Sequence, residues 1–173
     1  MVVFDLDGTL ANTNSLPEGH RTPYQVLEPG IDLRKFSESG SQADYQFTKD
    51  WSFGPEVSKT LESLICSGYI VAIATRAPLA YSSTLVHLLE LSTQILNASC
   101  GPGDHDKAQV ILKLAKQFDF QPREVLYVGD LEADENIAGL VGCRFMSAQE
   151  FHNGNLMDDL TPYLPRRANG DYL

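Results

Sequence analysis

The stretch Val2-Val3-Phe4-Asp5-Leu6-Asp7-Gly8-Thr9-Leu10 decides how the rest of the chain is read. Its apolar opening, Met1 to Phe4, reads as a buried strand that runs straight into a carboxylate cluster. Side chains two apart on a strand share a face, so Asp5 and Asp7 start out converging, and Gly8 allows a sharp turn beyond them. Two carboxylates so close repel unless a cation lies between them or one keeps a proton. Folding alone gains nothing from the pair, whereas both ways of relieving it serve catalysis.

Downstream of this strand, residues 11–54 are polar and rich in Pro, Gly and Ser, with scattered aromatics (Tyr24, Phe36, Tyr45, Phe47, Trp51, Phe53) and no sustained period. Thr22-Pro23 offers a cap and a first-turn proline for a short helix. The stretch reads as a small inserted lid, or as a surface excursion whose aromatics tuck onto the core. From Pro55 the pattern turns regular. Val57, Leu61, Leu64 and Ile65 form a helical stripe that stops at Gly68, and Tyr69 to Ala74 reads as a strand buried on both faces, ending at Thr75-Arg76. Pro78 opens a helix carrying Leu85, Leu88 and Leu89, and residues 94–99 form a weaker strand. After Gly101-Pro102-Gly103 comes a helix with Val110, Ile111, Leu114, Ala115 and Phe118 on one face. Val125 to Gly129 is another buried strand, tipped by Asp130. Ala133, Ile137, Leu140 and Val141 mark one more helix, and residues 143–146 a last strand. The tail after Asn155 reads as peripheral. Alternation of this kind predicts a mostly parallel sheet with helices on both faces.

At 173 residues the chain fits a single domain spanning 1–173, long enough to bury roughly 70% of its unfolded surface. Cys66, Cys100 and Cys143 are odd in number and lack Cys-x-x-Cys spacing, which argues for reduced thiols rather than disulfides or a thiolate metal site. The N-terminus lacks signal-peptide character, and no segment nears the roughly 20 apolar residues of a membrane span. The expectation is a soluble, cytoplasmic protein. A formal charge of −10 argues against nucleic-acid binding. Small phosphorylated molecules remain open, given metal ions and local cations at the site.

In open parallel sheets ligands bind beyond the carboxyl ends of the strands. Asp5 and Asp7 follow the first strand, Thr75 and Arg76 the second strong one, and Asp130 follows the Val125 strand, with Asp134 a turn into the next helix. Lys107 stands at the start of the helix near Asp106, where a cation opposes the helix dipole by about 0.3–1 kcal/mol. Taken singly, each has a plainer reading: a surface lysine, a strand-end hydroxyl, helix N-terminal acids, a turn. His20, His87, His105 and His152 lack metal-ligand spacing and read as surface or packing residues.

Taken in order, Asp5-x-Asp7-Gly8-Thr9, Thr75, Lys107 and Gly129-Asp130-x-x-x-Asp134 resemble the four motifs of the haloacid dehalogenase (HAD) superfamily of phosphohydrolases. The resemblance covers most of residues 1–147 and is silent on 11–54. It implies a Rossmann-like, three-layer α/β/α fold with the first strand central, between the Thr75 and Asp130 strands. It also implies Mg²⁺-dependent phosphoryl transfer through an aspartyl-phosphate. Asp5 would be nucleophile and metal ligand. Asp7 would be general acid and then base, giving its backbone carbonyl to the metal. Thr75 would donate to a phosphoryl oxygen and Lys107 would neutralise Asp5 and the transferring group. Asp130 would bind Mg²⁺, and Asp134 would bind a metal water or stand behind the ligands. Arg76 joins Thr75 and Lys107 as an expected phosphate-binding group. With His20, Arg21, Arg34, Lys35, Lys49 and Trp51, it is also a candidate for contacts beyond the phosphate.

The chemistry has its own logic. Phosphomonoester hydrolysis needs accelerations up to the order of 10²¹. A carboxylate nucleophile splits it into two displacements, and Mg²⁺, a hard cation held by few carboxylates, suits the charged oxygens. The leading expectation is therefore a phosphatase acting on a small phosphomonoester. Dehalogenation is disfavoured, since a leaving halide needs no proton from Asp7. A phosphomutase or phosphotransferase differs in what attacks the aspartyl-phosphate, and residues 11–54 look short for a water-excluding cap. A receiver-like signalling module has a different motif order, and a non-catalytic phosphate-binding protein would be expected to have degenerate motifs. Substrate identity and oligomeric state are not legible.

Overall fold

Strand β1 (Val2–Phe4) is buried along its whole length and occupies the middle of a five-stranded sheet. The computed structural model describes residues 1–12, 53, 55–77, 79–89, 91, 94–100 and 104–153. Along the chain follow α1 (Pro55–Cys66), β2 (Val71–Thr75), α2 (Leu79–Leu88), β3 (Leu96–Ser99), α3 (Asp104–Gln117), β4 (Leu126–Gly129), α4 (Glu132–Val141), β5 (Arg144–Ser147) and α5 (Ala148–Asn153). The sheet order is β3-β2-β1-β4-β5 and every pairing is parallel. β1 thus lies between the Thr75 strand and the Asp130 strand in a Rossmann-like α/β fold. Its two neighbours are in register, with Phe4 opposite both Ile73 and Val128.

Alternation on β1 divides the core into two layers. Val2 and Phe4 pack with Val57, Leu61 and Leu64 of α1, Leu85 of α2 and Phe151 of α5. Met1 and Val3 pack on the other face with Ala108, Ile111 and Ala115 of α3 and Ile137, Ala138 and Val141 of α4. Helix α1 ends as its glycine implies: Gly68 takes the left-handed conformation at φ 78°, and the Gly68 and Tyr69 N–H groups donate to the Ile65 and Leu64 carbonyls.

Boundaries differ modestly from the sequence reading. β2 starts at Val71, after the partly buried Tyr69 and Ile70, and β3 is a short edge strand starting at Leu96. Leu140, expected on the buried face of α4, is 62% exposed. The inward stripe runs Asp134, Ile137, Ala138, Val141, a spacing of i, i+3, i+4, i+7 that leaves Leu140 on the outer side. The sequence pattern gives no sign of the short helix α5, whose Phe151 meets Phe4 edge-on at 5.1 Å between ring centroids. No helix among the described residues is long and apolar enough to cross a membrane. The lid expected over 11–54, apart from 11, 12 and 53, lies outside the described residues, as do Pro78, 101–103 and the tail beyond Asn153.

Candidate functional site

The face of β1 that carries Met1 and Val3 toward α3 and α4 carries Asp5 the same way one step beyond the strand, where its N–H still donates to the Val128 carbonyl at 2.8 Å. There Lys107, from the first turn of α3, places Nζ 2.9 Å from Asp5 Oδ1 and 3.0 Å from Asp134 Oδ1. The lysine read singly as a surface residue is buried, with only 2% of its surface exposed. Burial pulls its pKa down, but the Asp5 and Asp134 carboxylates outweigh that and leave it raised, so the group is a fixed cation. Asp5 responds in the opposite sense. Burial pushes its carboxyl up and Asp134 adds to this against the pull of Lys107, so it sits at about 7.

Asp130 follows β4 and Asp134 stands in the first turn of α4. Asp5, Asp130 and Asp134 each offer one oxygen, and the three oxygens lie within 4.8 Å of one another. Three hard oxygen donors, in a site where burial and mutual repulsion drive one carboxyl to about 7, fit a divalent cation such as Mg²⁺.

Asp134 is held from several directions. Its Oδ1 accepts the Tyr127 hydroxyl at 2.7 Å as well as Lys107, while its Oδ2 accepts the Leu131 N–H at 3.1 Å, folding back over the start of α4. The Lys107 ammonium also lies 5.4 Å from the centre of the Tyr127 ring. Burial and the two carboxylates push the Tyr127 phenol far up, so it stays a donor. Gly129 makes room for the carboxylate: a Cβ there would come within 2.5 Å of Asp134 Cβ and 2.6 Å of Oδ2.

The sequence-adjacent carboxylates are not the pair the fold gathers. Strand alternation ends in a tight turn, where the N–H groups of Thr9, Leu10 and Ala11 converge on the Leu6 carbonyl, Gly8 adopts φ 75° and its N–H donates to the Ala11 carbonyl. Asp7 sits half-buried in that turn, bridged through its backbone to Ala11, and is outside the three-carboxylate group. Thr75, at the end of β2, accepts the Ala77 N–H on Oγ1 at 3.1 Å, which leaves the hydroxyl proton to donate elsewhere. Arg76 follows it, half-buried. Both stand at the same sheet end as Asp5, but outside the Lys107 contacts.

His105 is exposed, as read. His152 is half-buried, stacks on Phe53 at 3.9 Å and hydrogen-bonds the Thr9 backbone; burial lowers its pKa. The side chain of His87, and His20, Arg21, Arg34, Lys35, Lys49 and Trp51, lie outside the described residues.

Tyr127 carries no signal in the motifs, and Gly129 belongs to the fourth motif without a role being legible for it. A phenol on a strand buried on both faces must find a partner for its hydroxyl, and the parity of β4 points Tyr127 to the Asp5 side. For Gly129 the signal was an acid three residues after Leu131, where a helix-start carboxylate folds back over the preceding turn.

A family model described as haloacid dehalogenase-like hydrolase matches residues 28–148, most of the chain. Among curated proteins, the phosphoglycolate phosphatase of Haemophilus influenzae (strain 86-028NP) is 29% identical over 105 residues, covering 59% of this chain and 47% of its own length. The phosphoglycolate phosphatase of Pasteurella multocida (strain Pm70) is 27% identical over the same extent. The chain thus spans about half the length of these relatives. Among solved structures, the HAD domain of an effector protein from Legionella pneumophila superposes with a TM-score of 0.61 at 16% identity, covering 97% of this chain and 96% of that one. A HAD-superfamily hydrolase from Ehrlichia chaffeensis gives 0.58 at 20% identity over 91% and 92%. These likenesses establish the fold.

Proposed function

The chain belongs to the haloacid dehalogenase-like hydrolase family, and on that premise we propose that it is a Mg²⁺-dependent phosphatase acting on a small phosphomonoester through an aspartyl-phosphate on Asp5. The observation that carries the reading is the buried Lys107 cation bridging Asp5 and Asp134, with Asp130 close enough for the three carboxylates to share one ion. An ordinary ion pair would need one carboxylate; the excess negative charge points to a second cation.

In this reading an Asp5 oxygen attacks phosphorus and the bond to the leaving oxygen breaks, while Asp7 gives that oxygen its proton. Asp7 then takes a proton from water, whose oxygen attacks phosphorus, releasing phosphate and freeing the Asp5 carboxylate. Lys107 holds Asp5 in place and offsets charge on the phosphoryl oxygens, and Thr75 donates its hydroxyl proton to one of them. Arg76 adds a cation on the same side. Asp5, Asp130, Asp134 and the Asp7 carbonyl would hold Mg²⁺, which when bound neutralises phosphoryl charge as a Lewis acid.

The named relatives make phosphoglycolate the first substrate to offer. Cys66, Cys100 and Cys143 are free thiols, which suits a reducing cytoplasm; burial pushes the Cys100 and Cys143 thiols up to about 11, so they stay protonated. The test pairs Asp5→Asn with metal removal, using p-nitrophenyl phosphate and phosphoglycolate. Asp5→Asn is expected to fold normally and lose turnover by about 10⁴-fold or more, and EDTA to silence the wild type until Mg²⁺ is returned. Turnover that survives either treatment defeats the reading.

A further inference from the structure

We infer that Tyr127 is a positioning residue for the metal site, its hydroxyl fixing Asp134 so that only Oδ2 of that carboxylate faces the ion. The inference rests on the phosphatase reading above but concerns a residue to which that reading gives no task.

Acceptor capacity decides which oxygen of Asp134 can meet an ion. A carboxylate has about four lone-pair sites, two on each oxygen. On Asp134, Oδ1 accepts both the Tyr127 O–H at 2.7 Å and the Lys107 N–H at 3.0 Å, and is thereby filled. Oδ2 accepts the Leu131 N–H at 3.1 Å and keeps one site. Asp134 therefore has a single direction left in which to meet an ion or a water bound to it. Rotation to offer the other oxygen, or both at once, would break two buried hydrogen bonds, one of them to a cation.

Tyr127 is suited to this task. It is fully buried and its ring lies against the Lys107 ammonium, so the same side chain restrains both partners of Asp134 Oδ1. Neighbouring Phe145 packs on it at 6.3 Å between ring centroids, and β4 fixes its backbone. A phenylalanine would fill the same space, so shape alone does not require the hydroxyl; the hydrogen bond to Asp134 does.

The test is Tyr127→Phe, compared with wild type by Mn²⁺ binding, followed as the paramagnetic relaxation of water protons, alongside thermal unfolding and Mg²⁺-dependent hydrolysis of p-nitrophenyl phosphate. With Asp134 free to turn, the Mn²⁺ dissociation constant is expected to rise about tenfold. Turnover at limiting Mg²⁺ should fall by a similar factor and recover at saturating Mg²⁺, with KM unchanged. 4-Aminophenylalanine at 127, which restores an N–H donor, should bring Mn²⁺ binding back to within about twofold of wild type. Should Tyr127→Phe not fold, 4-fluorophenylalanine, close in shape to tyrosine but without a donor, takes its place in the comparison. A wild type that binds Mn²⁺ and turns over, with a donor-free variant binding within twofold of it, overturns the inference and leaves the phosphatase reading standing. A wild type that binds no Mn²⁺ overturns both.

Discussion

The two faces of β1 begin alike and end differently. Val2 and Phe4 face α1, α2 and α5, and the same layer goes on to Leu6, so that side remains apolar to its end. Met1 and Val3 face α3 and α4, and the next side chain in their parity is Asp5, which meets Lys107. Both layers are buried, so burial does not distinguish them. What differs is the kind of free energy each stores. The first layer is stabilised by apolar area and packing, which any side chain of similar shape can supply. The second ends in a charge network whose parts are costly alone and tolerable only together. Binding and chemistry are therefore expected to depend on the α3/α4 layer, and the α1 layer to affect stability only.

The largest effect should come from removing the cation of that network. Lys107→Met keeps much of the side-chain volume but leaves Asp5 and Asp134 buried without their shared partner, a loss of about 3–5 kcal/mol. Its pH dependence has a definite sign. The Asp5 carboxyl is raised from 3.8 to about 7 even with Lys107 beside it. A carboxyl raised in the folded state contributes stability at low pH that is lost as pH rises through the folded value. Without the lysine that value moves higher still, so urea unfolding of metal-free Lys107→Met should show the smaller loss on the acid side of pH 7 and the larger above it. Equal loss on both sides would mean that the charges are not what couples these residues.

The opposite layer supplies the contrast. Leu61 is fully buried among Val2, Phe4 and Leu85, and Leu61→Ala should lower stability by about 2–5 kcal/mol through lost contacts and a residual cavity. Unlike Lys107→Met, it should do so nearly independently of pH, and at temperatures where it stays folded its Mn²⁺ affinity and turnover should stay within about twofold of wild type. If Leu61→Ala weakens metal binding as much as it weakens folding, the two layers are not separable and the comparison fails.

How much of this could be read from the amino acids alone follows the same division. Periodicity reports which side chains are apolar at which spacing, so the strands, the longer helices and the parallel sheet were legible; the central place of β1 was implied by the family resemblance. Leu140 was misplaced because a leucine one position off the stripe adds to the same pattern. Asp5, Lys107, Asp130 and Asp134 were legible as a set because each follows a strand or opens a helix at one end of the sheet. What was not legible was their distances. The resemblance implied that Asp5 joins Asp130 and Asp134, but the 4.8 Å grouping of their oxygens and the turn at Gly8 that leaves Asp7 outside it are visible only in the structure. Taken singly, Lys107 read as solvated because first-turn lysines usually are; only its place in the set pointed to the site, and nothing local reveals that the fold closes over it. Tyr127 was absorbed into a buried strand, where a hydroxyl leaves no mark on the hydrophobic pattern, and Gly129 stood in the fourth motif with nothing to show that Asp134 needs its missing side chain.

Gly129 offers the finest cut between the two layers, because it carries no charge and no side chain, only the backbone that pairs with Ser147 of β5. Its role is to be absent where Asp134 sits. Gly129→Ala would set a methyl group 2.5 Å from Asp134 Cβ and 2.6 Å from both Cγ and Oδ2, and no real Cβ contact is that short. Those atoms lie close to the Asp134 backbone, so the carboxylate cannot simply swing aside: α4 or the tip of β4 must shift. The shift should be small enough to leave the sheet intact, since the helix start after Asp130 can move without disturbing β1. Its effect should appear where sub-ångström placement matters, as a roughly 10–100-fold loss of metal affinity and of turnover. Overpacking is expected to lower stability by about 1–3 kcal/mol, no more than Leu61→Ala loses. Leu61→Ala and Gly129→Ala then form a crossed pair, one damaging folding and sparing the ion, the other weakening the ion more than the fold. Wild-type metal affinity in Gly129→Ala would mean that Asp134 is not held where the geometry has it, and the polar layer would lose its claim to be the tuned one.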